Sequence, residues 1–222
     1  AEYYQRALNA RGDSLGALGD WAAAERTFLQ VVSLNQSTST HLDVYFEALH
    51  GLAYLALCQT DIPKAVQFAE QAISLAAQLD NDEINQRLIL LRAWIAFHQG
   101  DDGAVIAATQ ALASQEQTDN PSTTYITIEA MSLYSRSKSR AGQPDRQYLP
   151  THSFILEMSD IRLQVLALWT FIDFFTGTGQ TERATGLTAL LADDLRVPFY
   201  DRRLAATRLN RPLLSQTDIT EQ

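Results

Sequence analysis

Several stretches carry residue types at spacings that chemistry can use. Glu47-Ala48-Leu49-His50 has the Glu-x-x-His spacing that puts a carboxylate and an imidazole on one helix face, as in di-iron bundles. Such a centre needs a second copy and two further glutamates, and the chain holds no second copy, so the motif reads as a polar helix face. Asp80-Asn81-Asp82 opens like a calcium loop, but Ile84 and Asn85 stand where the next oxygen ligand and the turn glycine belong. Gly177-Thr178-Gly179 lacks the lysine and hydroxyl residue of a phosphate loop. His41, His98 and His152 lie in separate segments, and none has a serine or cysteine beside it with a third orienting group. Cys58, the single cysteine, excludes an internal disulfide and a multi-cysteine metal site, and its apolar helical setting predicts a buried thiol. These residues predict no catalytic centre, no metal and no cofactor.

The bulk properties narrow the class further. With 222 residues, 46% of them apolar and 19% charged, the chain has material for a continuous core. Its formal charge of −9 argues against nucleic acid as the main partner, because phosphate binding needs a basic face. Two local exceptions, Arg136 to Arg146 and Arg196 to Arg211, read as solvated surface. No apolar run approaches the ~18 residues of a membrane span. The chain opens at Ala1 inside a helical pattern, without a charged-then-apolar leader, which predicts an excised part of a longer cytoplasmic protein. Asn35-Gln36-Ser37 matches a glycosylation sequon, a tripeptide common by chance.

The elements that position these residues are set by a recurring turn: Gly19-Asp20, Thr60-Asp61, Gly100-Asp101, Gly142-Gln143 and Gly179-Gln180. The spacings are 41, 40, 42 and 37 residues, a period that signals a helical solenoid. Glycine suits the left-handed position that ends one helix, and the acid after it caps the next. After the turns the second helices read Trp21, Ala24, Phe28, Val31; then Ile62, Ala65, Ala69, Ala72; then Ala104, Ala108, Ala111; and finally Ala184, Leu187, Leu191. Thr40 to Asp43 resembles a capping box before the second repeat. The fourth repeat is the weak copy, because Pro150 must split or delay its second helix, expected over about Asp145 to Met158.

Trp21, Ala24 and Phe28 after the Gly-Asp turn resemble the tetratricopeptide repeat, and the ~40-residue period resembles its long variants. These form the helical arms of bacterial signal-transduction ATPases and of maltose-activator-like transcription regulators. The fold this implies is all-α: a right-handed α-α superhelix of about five hairpins plus a C-terminal capping helix. It forms one domain over residues 1–211, with repeats at about 3–38, 39–80, 81–119, 120–159 and 160–197, a cap at 199–209 and a frayed tail at 212–222. The implied function is a non-catalytic scaffold, the sensor or oligomerisation arm of a larger regulator. Its partner is a protein or peptide, or a small-molecule effector, with self-association as a further outcome and no membrane contact. A peptide-pheromone receptor is the alternative reading, and a helical-repeat enzyme a more distant one.

In such arrays the first helix of each pair faces inward, so positions counted back from the turn form ladders. Thirteen before it stand Arg6, Glu47, Arg87, Glu129 and Leu166; ten before it, Asn9, His50, Leu90, Ser132 and Trp169. Six before it stand Asp13, Tyr54, Trp94, Arg136 and Asp173; three before it, Gly16, Leu57, Phe97, Ser139 and Thr176. His50, Tyr54, Arg87, Trp94, Phe97, Arg136, Trp169 and Asp173 are the candidate binding residues. The aromatic ones would be rigid anchors and the arginines carboxylate or phosphate holders. The competing expectation is that Trp94 and Phe97 only pack between repeats.

Overall fold

The computed structural model describes residues 2–38, 41–115, 121–157, 159–194 and 196–211. Thr40, Asn120, Met158 and the expected tail at 212–222 lie outside them. The described residues are all-helical, with eleven helices and no strand, and none is long and apolar enough to cross a membrane. The chain packs as two compact units, Ala1–Asp101 and Asp102–Gln222.

The first unit holds α1 (Glu2–Leu18), α2 (Trp21–Thr38), α3 (Leu42–Cys58), α4 (Ile62–Ala76) and α5 (Asp82–Gln99). α1 packs on α2 and α3 on α4, as antiparallel hairpins do, while α3 also lies against both α1 and α5. The three first helices are therefore neighbours in a row. The second unit holds α6 (Asp102–Ala113), α7 (Pro121–Arg140), α8 (Leu149–Ile155), α9 (Ile161–Gly177), α10 (Thr181–Asp193) and α11 (Phe199–Arg208). Here α7 packs on α6 and α9, and α10 sits between α9 and α11.

The turns are alike in detail. Gly19, Gly100, Gly142 and Gly179 all have φ between 73° and 87°, and Thr60 holds the same left-handed conformation at φ 62°. In each, the N–H of this residue reaches the carbonyl three back (Gly16, Leu57, Phe97, Ser139, Thr176). The following N–H reaches the carbonyl five back (Leu15, Ala56, Ala96, Lys138, Phe175). This pair of bonds is the Schellman ending, which satisfies carbonyls the helix would otherwise orphan. Asp20 and Asp61 then accept from the N–H of Ala23 and Lys64, at 3.1 and 3.2 Å, and start the next helix.

The register after the turn repeats as closely. Residues five, nine and twelve beyond it are buried as Ala24, Phe28, Val31; as Ala65, Ala69, Ala72; as Val105, Thr109, Leu112; and as Ala184, Thr188, Leu191. The third set corrects the expected stripe: Ala104 and Ala111 are exposed and Ala108 is half-buried. Thr109 is buried instead because its hydroxyl donates to the Val105 carbonyl at 2.8 Å, so burial strands no polar group. Thr188 does the same with Ala184 at 2.7 Å. The fourth repeat breaks the register, as its proline requires. Pro150 sits in the first turn of α8, which spans only seven residues, Leu149–Ile155, in place of the longer helix expected. Helix α3 starts without a side-chain cap, at His41, and Asp43 bonds Arg6 instead of the helix end. Asn35 is buried in α2 and donates to Gln5 Oε1 and the Val31 carbonyl, both at 3.0 Å, so the sequon lies in a core helix. Cys58, the single cysteine, is buried.

Candidate functional site

The ladder positions meet their counterparts one repeat on. In the first unit Arg87 stands 4.0 Å from Glu47, and Tyr54 meets Trp94 edge-on with ring centroids 6.4 Å apart. In the second unit Arg136 pairs with Asp173 at 2.8 Å. Each pair shares one count from the turn, so the side chains run in register from one first helix to the next.

Around His50 the first unit forms a polar hollow of about 220 Å³, walled by Arg6, Asn9, Asp13, Glu47, His50 and Arg87. Three helices supply them: α1 gives the first three, α3 the next two and α5 the last. Arg6 and Asp13 are exposed at its rim, whereas Asn9 is buried. Arg6 is held by Glu2 at 3.0 Å and by Asp43, and these bonds raise its pKa further. Asn9 donates Nδ2–H to the Val44 carbonyl at 3.0 Å, which orients its amide; Oδ1 is buried with no hydrogen-bond partner among the described residues. The guanidinium of Arg87 lies over the Phe46 ring, 5.6 Å from its centroid. Burial, with the positive charge of Arg87 adding to it, lowers the His50 pKa from 6.5 to about 3, so this imidazole is neutral at physiological pH. Glu47 and His50 share this wall, and among the described residues no group of three or more His, Cys, Asp and Glu is placed to hold a metal.

Beside the hollow runs an aromatic row. Tyr54 is 42% exposed, Trp94 is half-buried against the core of Ala53, Ala56, Leu57 and Leu91, and Phe97 is buried. Trp94 also meets Phe97 and His98, at 5.7 and 6.3 Å between centroids. The row therefore has a packed base and an open edge at Tyr54.

The candidates of the second unit come together with a different outcome. Asp173, 5% exposed, accepts from Arg136 at 2.8 Å and from Arg208 at 3.0 Å. Both guanidiniums also face the Trp169 ring, at 5.6 and 4.7 Å from its centroid. The Trp169 indole N–H donates to Asp201 at 2.7 Å. Burial raises the Asp201 pKa from 3.8 to about 6, with the Trp169 bond and the Arg136 charge pulling the other way. Arg136 is 3% exposed, which overturns the solvated-surface reading for that residue, while Arg140 and Arg146 of the same cluster are exposed. In the second cluster Arg202 is buried at 6% with its Nε 3.5 Å from the Ala192 carbonyl, while Arg196 is exposed. Of the other cations, Arg140 pairs with Asp102, Arg196 with Asp194 and Arg211 with Asp193.

Arg208 and Asp201 escaped sequence reasoning because α11 lies outside the repeat and has no turn to count from. The one available signal was Trp169, whose indole N–H must find an acceptor when buried. Set against known proteins, the chain stands apart: no family model matches it, and neither does any curated protein or solved structure.

Proposed function

We propose that this chain is a non-catalytic binding scaffold of tetratricopeptide-like hairpins, wound as a right-handed superhelix, serving as the sensor or oligomerisation arm of a larger cytoplasmic regulator of transcription or signalling in bacteria. The observation that carries this reading is the pairing of ladder residues along neighbouring first helices, with mixed aromatic and charged side chains left accessible in the first unit. A face built only for packing is apolar; here Arg87 and Glu47 are each about a third exposed beside an exposed Tyr54. Aromatic anchors ringed by charge are the composition of binding hot spots. A protein or peptide lying along this face would alter the placement of whatever domains flank the chain.

Selection of displayed random peptides against the purified chain tests the reading. Selected peptides should lose at least tenfold in affinity for a Tyr54→Ser, Arg87→Gln variant whose helicity and melting match the parent. Failure to select peptides, or peptides indifferent to both substitutions, would count against it.

A further inference from the structure

We propose that the hollow between α1, α3 and α5 is a site for a free α-amino acid, its carboxylate on Arg87 and its ammonium on Glu47. This deepens the scaffold reading, on which it rests, by naming an effector class for the same face. Charge is the first argument. The wall carries both signs, the guanidiniums of Arg6 and Arg87 and the carboxylates of Asp13 and Glu47, with a neutral imidazole at His50. Glu2 and Asp43 already take up Arg6, so Arg87 is the cation that remains for a ligand carboxylate and Glu47 the nearby anion for an ammonium; a zwitterion offers one group to each.

The second argument is how loosely the central pair is held. Glu47 lies 4.0 Å from Arg87 and 3.5 Å from Asn9 Nδ2, both at the outer limit of such contacts. Arg87 has its face on Phe46 and its fork of donors to spare for a planar carboxylate. A zwitterion bridging the two exchanges one loose pair for two close, charge-assisted ones. Size is the third argument: about 220 Å³ equals the liquid volume of roughly seven waters. It falls below the range of roughly 300–1,000 Å³ usual for drug-sized ligands. That suits one small amino acid and excludes a folded chain segment.

The test is calorimetric titration of the intact chain with each of the common free amino acids at millimolar concentration, with the His50 imidazole signals followed by NMR. One or a few should bind and shift those signals. N-acetylation of the ligand, amidation of its carboxyl group, Arg87→Gln and Glu47→Gln should each weaken binding about tenfold or more. Absence of binding by every amino acid overturns the proposal. So does equal binding of a peptide through its N-terminal residue, or of the carboxamides. If displayed peptides bind while free amino acids do not, the scaffold reading stands and this site falls alone.

Discussion

Gly12 on α1 and Gly51 on α3 hold the ring of Phe28 between them, and replacing Gly12 by alanine measures how tightly. A Cβ at residue 12 would lie 2.7 Å from both Cε1 and Cζ of that ring and 3.0 Å from Cδ1. Unstrained carbon contacts sit at about 3.5–4.0 Å, so three ring atoms overlap the methyl by roughly half an ångström to one. The ring has little room to yield: Phe28 is 3% exposed, and a Cβ at Gly51 would stand 2.6 Å from its Cζ. Overpacking of this kind costs about 1–3 kcal/mol, against a gain of about 1 kcal/mol from alanine in a helix interior. Gly12→Ala should therefore destabilise the chain by up to ~2 kcal/mol. Two controls have the same propensity gain without the clash. Gly16→Ala, on the same helix, places its methyl 3.8 Å from Leu55 Cδ1, and Gly186→Ala in α10 meets nothing within 4 Å. Both should stabilise, by up to about 1 kcal/mol. Urea unfolding followed by circular dichroism supplies the comparison, and a cycle with Phe28→Leu should show a coupling of about 1 kcal/mol or more. If Gly12→Ala stabilises as much as Gly16→Ala, the ring is not clamped and the account of the α1–α2–α3 contact is wrong.

Thr60→Gly should stabilise by about 1 kcal/mol in the same assay, since a β-branched residue at φ 62° is strained where glycine is not; an unchanged midpoint would show the turn is relaxed. Asp173→Asn leaves Arg136, 3% exposed, beside an uncharged partner and should cost about 3–5 kcal/mol, whereas a double replacement by Arg136→Met and Asp173→Leu should cost much less; equal losses would deny that desolvation dominates. His50, with a folded pKa of about 3 against 6.5, contributes stability present above pH 6.5. That stability is lost as pH falls from 6.5 towards 3, at no more than about 1.4 kcal/mol per pH unit; His50→Phe should flatten this slope, and an unchanged slope would place the effect elsewhere. Asp201 has the opposite sign: its pKa is raised from 3.8 to about 6, so the folded state gains stability as pH falls from 6 to 3.8. Asp201→Asn should remove that gain, read by the fluorescence of the chain as Trp169 loses its charged acceptor.

What the sequence made readable was whatever recurs. The five turns were placed to the residue, because only glycine or a tolerated substitute ends a helix in the left-handed region, and that choice is local. Counting from them also put Glu47 with Arg87, Tyr54 with Trp94 and Arg136 with Asp173 in common rows, and the structure brings these residues into contact. Polarity patterns were the weaker guide. The buried stripe of α6 was misplaced because Thr109 looks polar, although a hydroxyl bonded to the carbonyl four residues back can be buried like an apolar group. Arg136 read as surface because its charge was weighed alone: its partners Asp173 and Trp169 come from α9, and their burial of the guanidinium is a matter of packing. The hollow at His50 was equally hidden, since it exists only where α1, α3 and α5 converge.

Ladders of one register thus serve different ends in the two units. Six residues before their turns, Arg136 and Asp173 form an ion pair exposed at 3% and 5%, with Arg208 closing the remaining carboxylate oxygen. Drawing that pair into contact with an outside ligand means breaking bonds whose loss leaves a buried charge, at several kcal/mol before any new contact forms. The same count in the first unit gives Tyr54 and Trp94, whose contact is between ring edges and leaves Tyr54 42% exposed. Thirteen before the turn, Glu47 and Arg87 are 4.0 Å apart and about a third exposed, a pair worth little to stability. Substituting Arg87 therefore costs the fold little, while substituting Arg136 costs it much. Residues whose removal leaves folding intact are the ones free to specialise in recognition, and by that measure α1, α3 and α5 are where the recognition we propose has room to act.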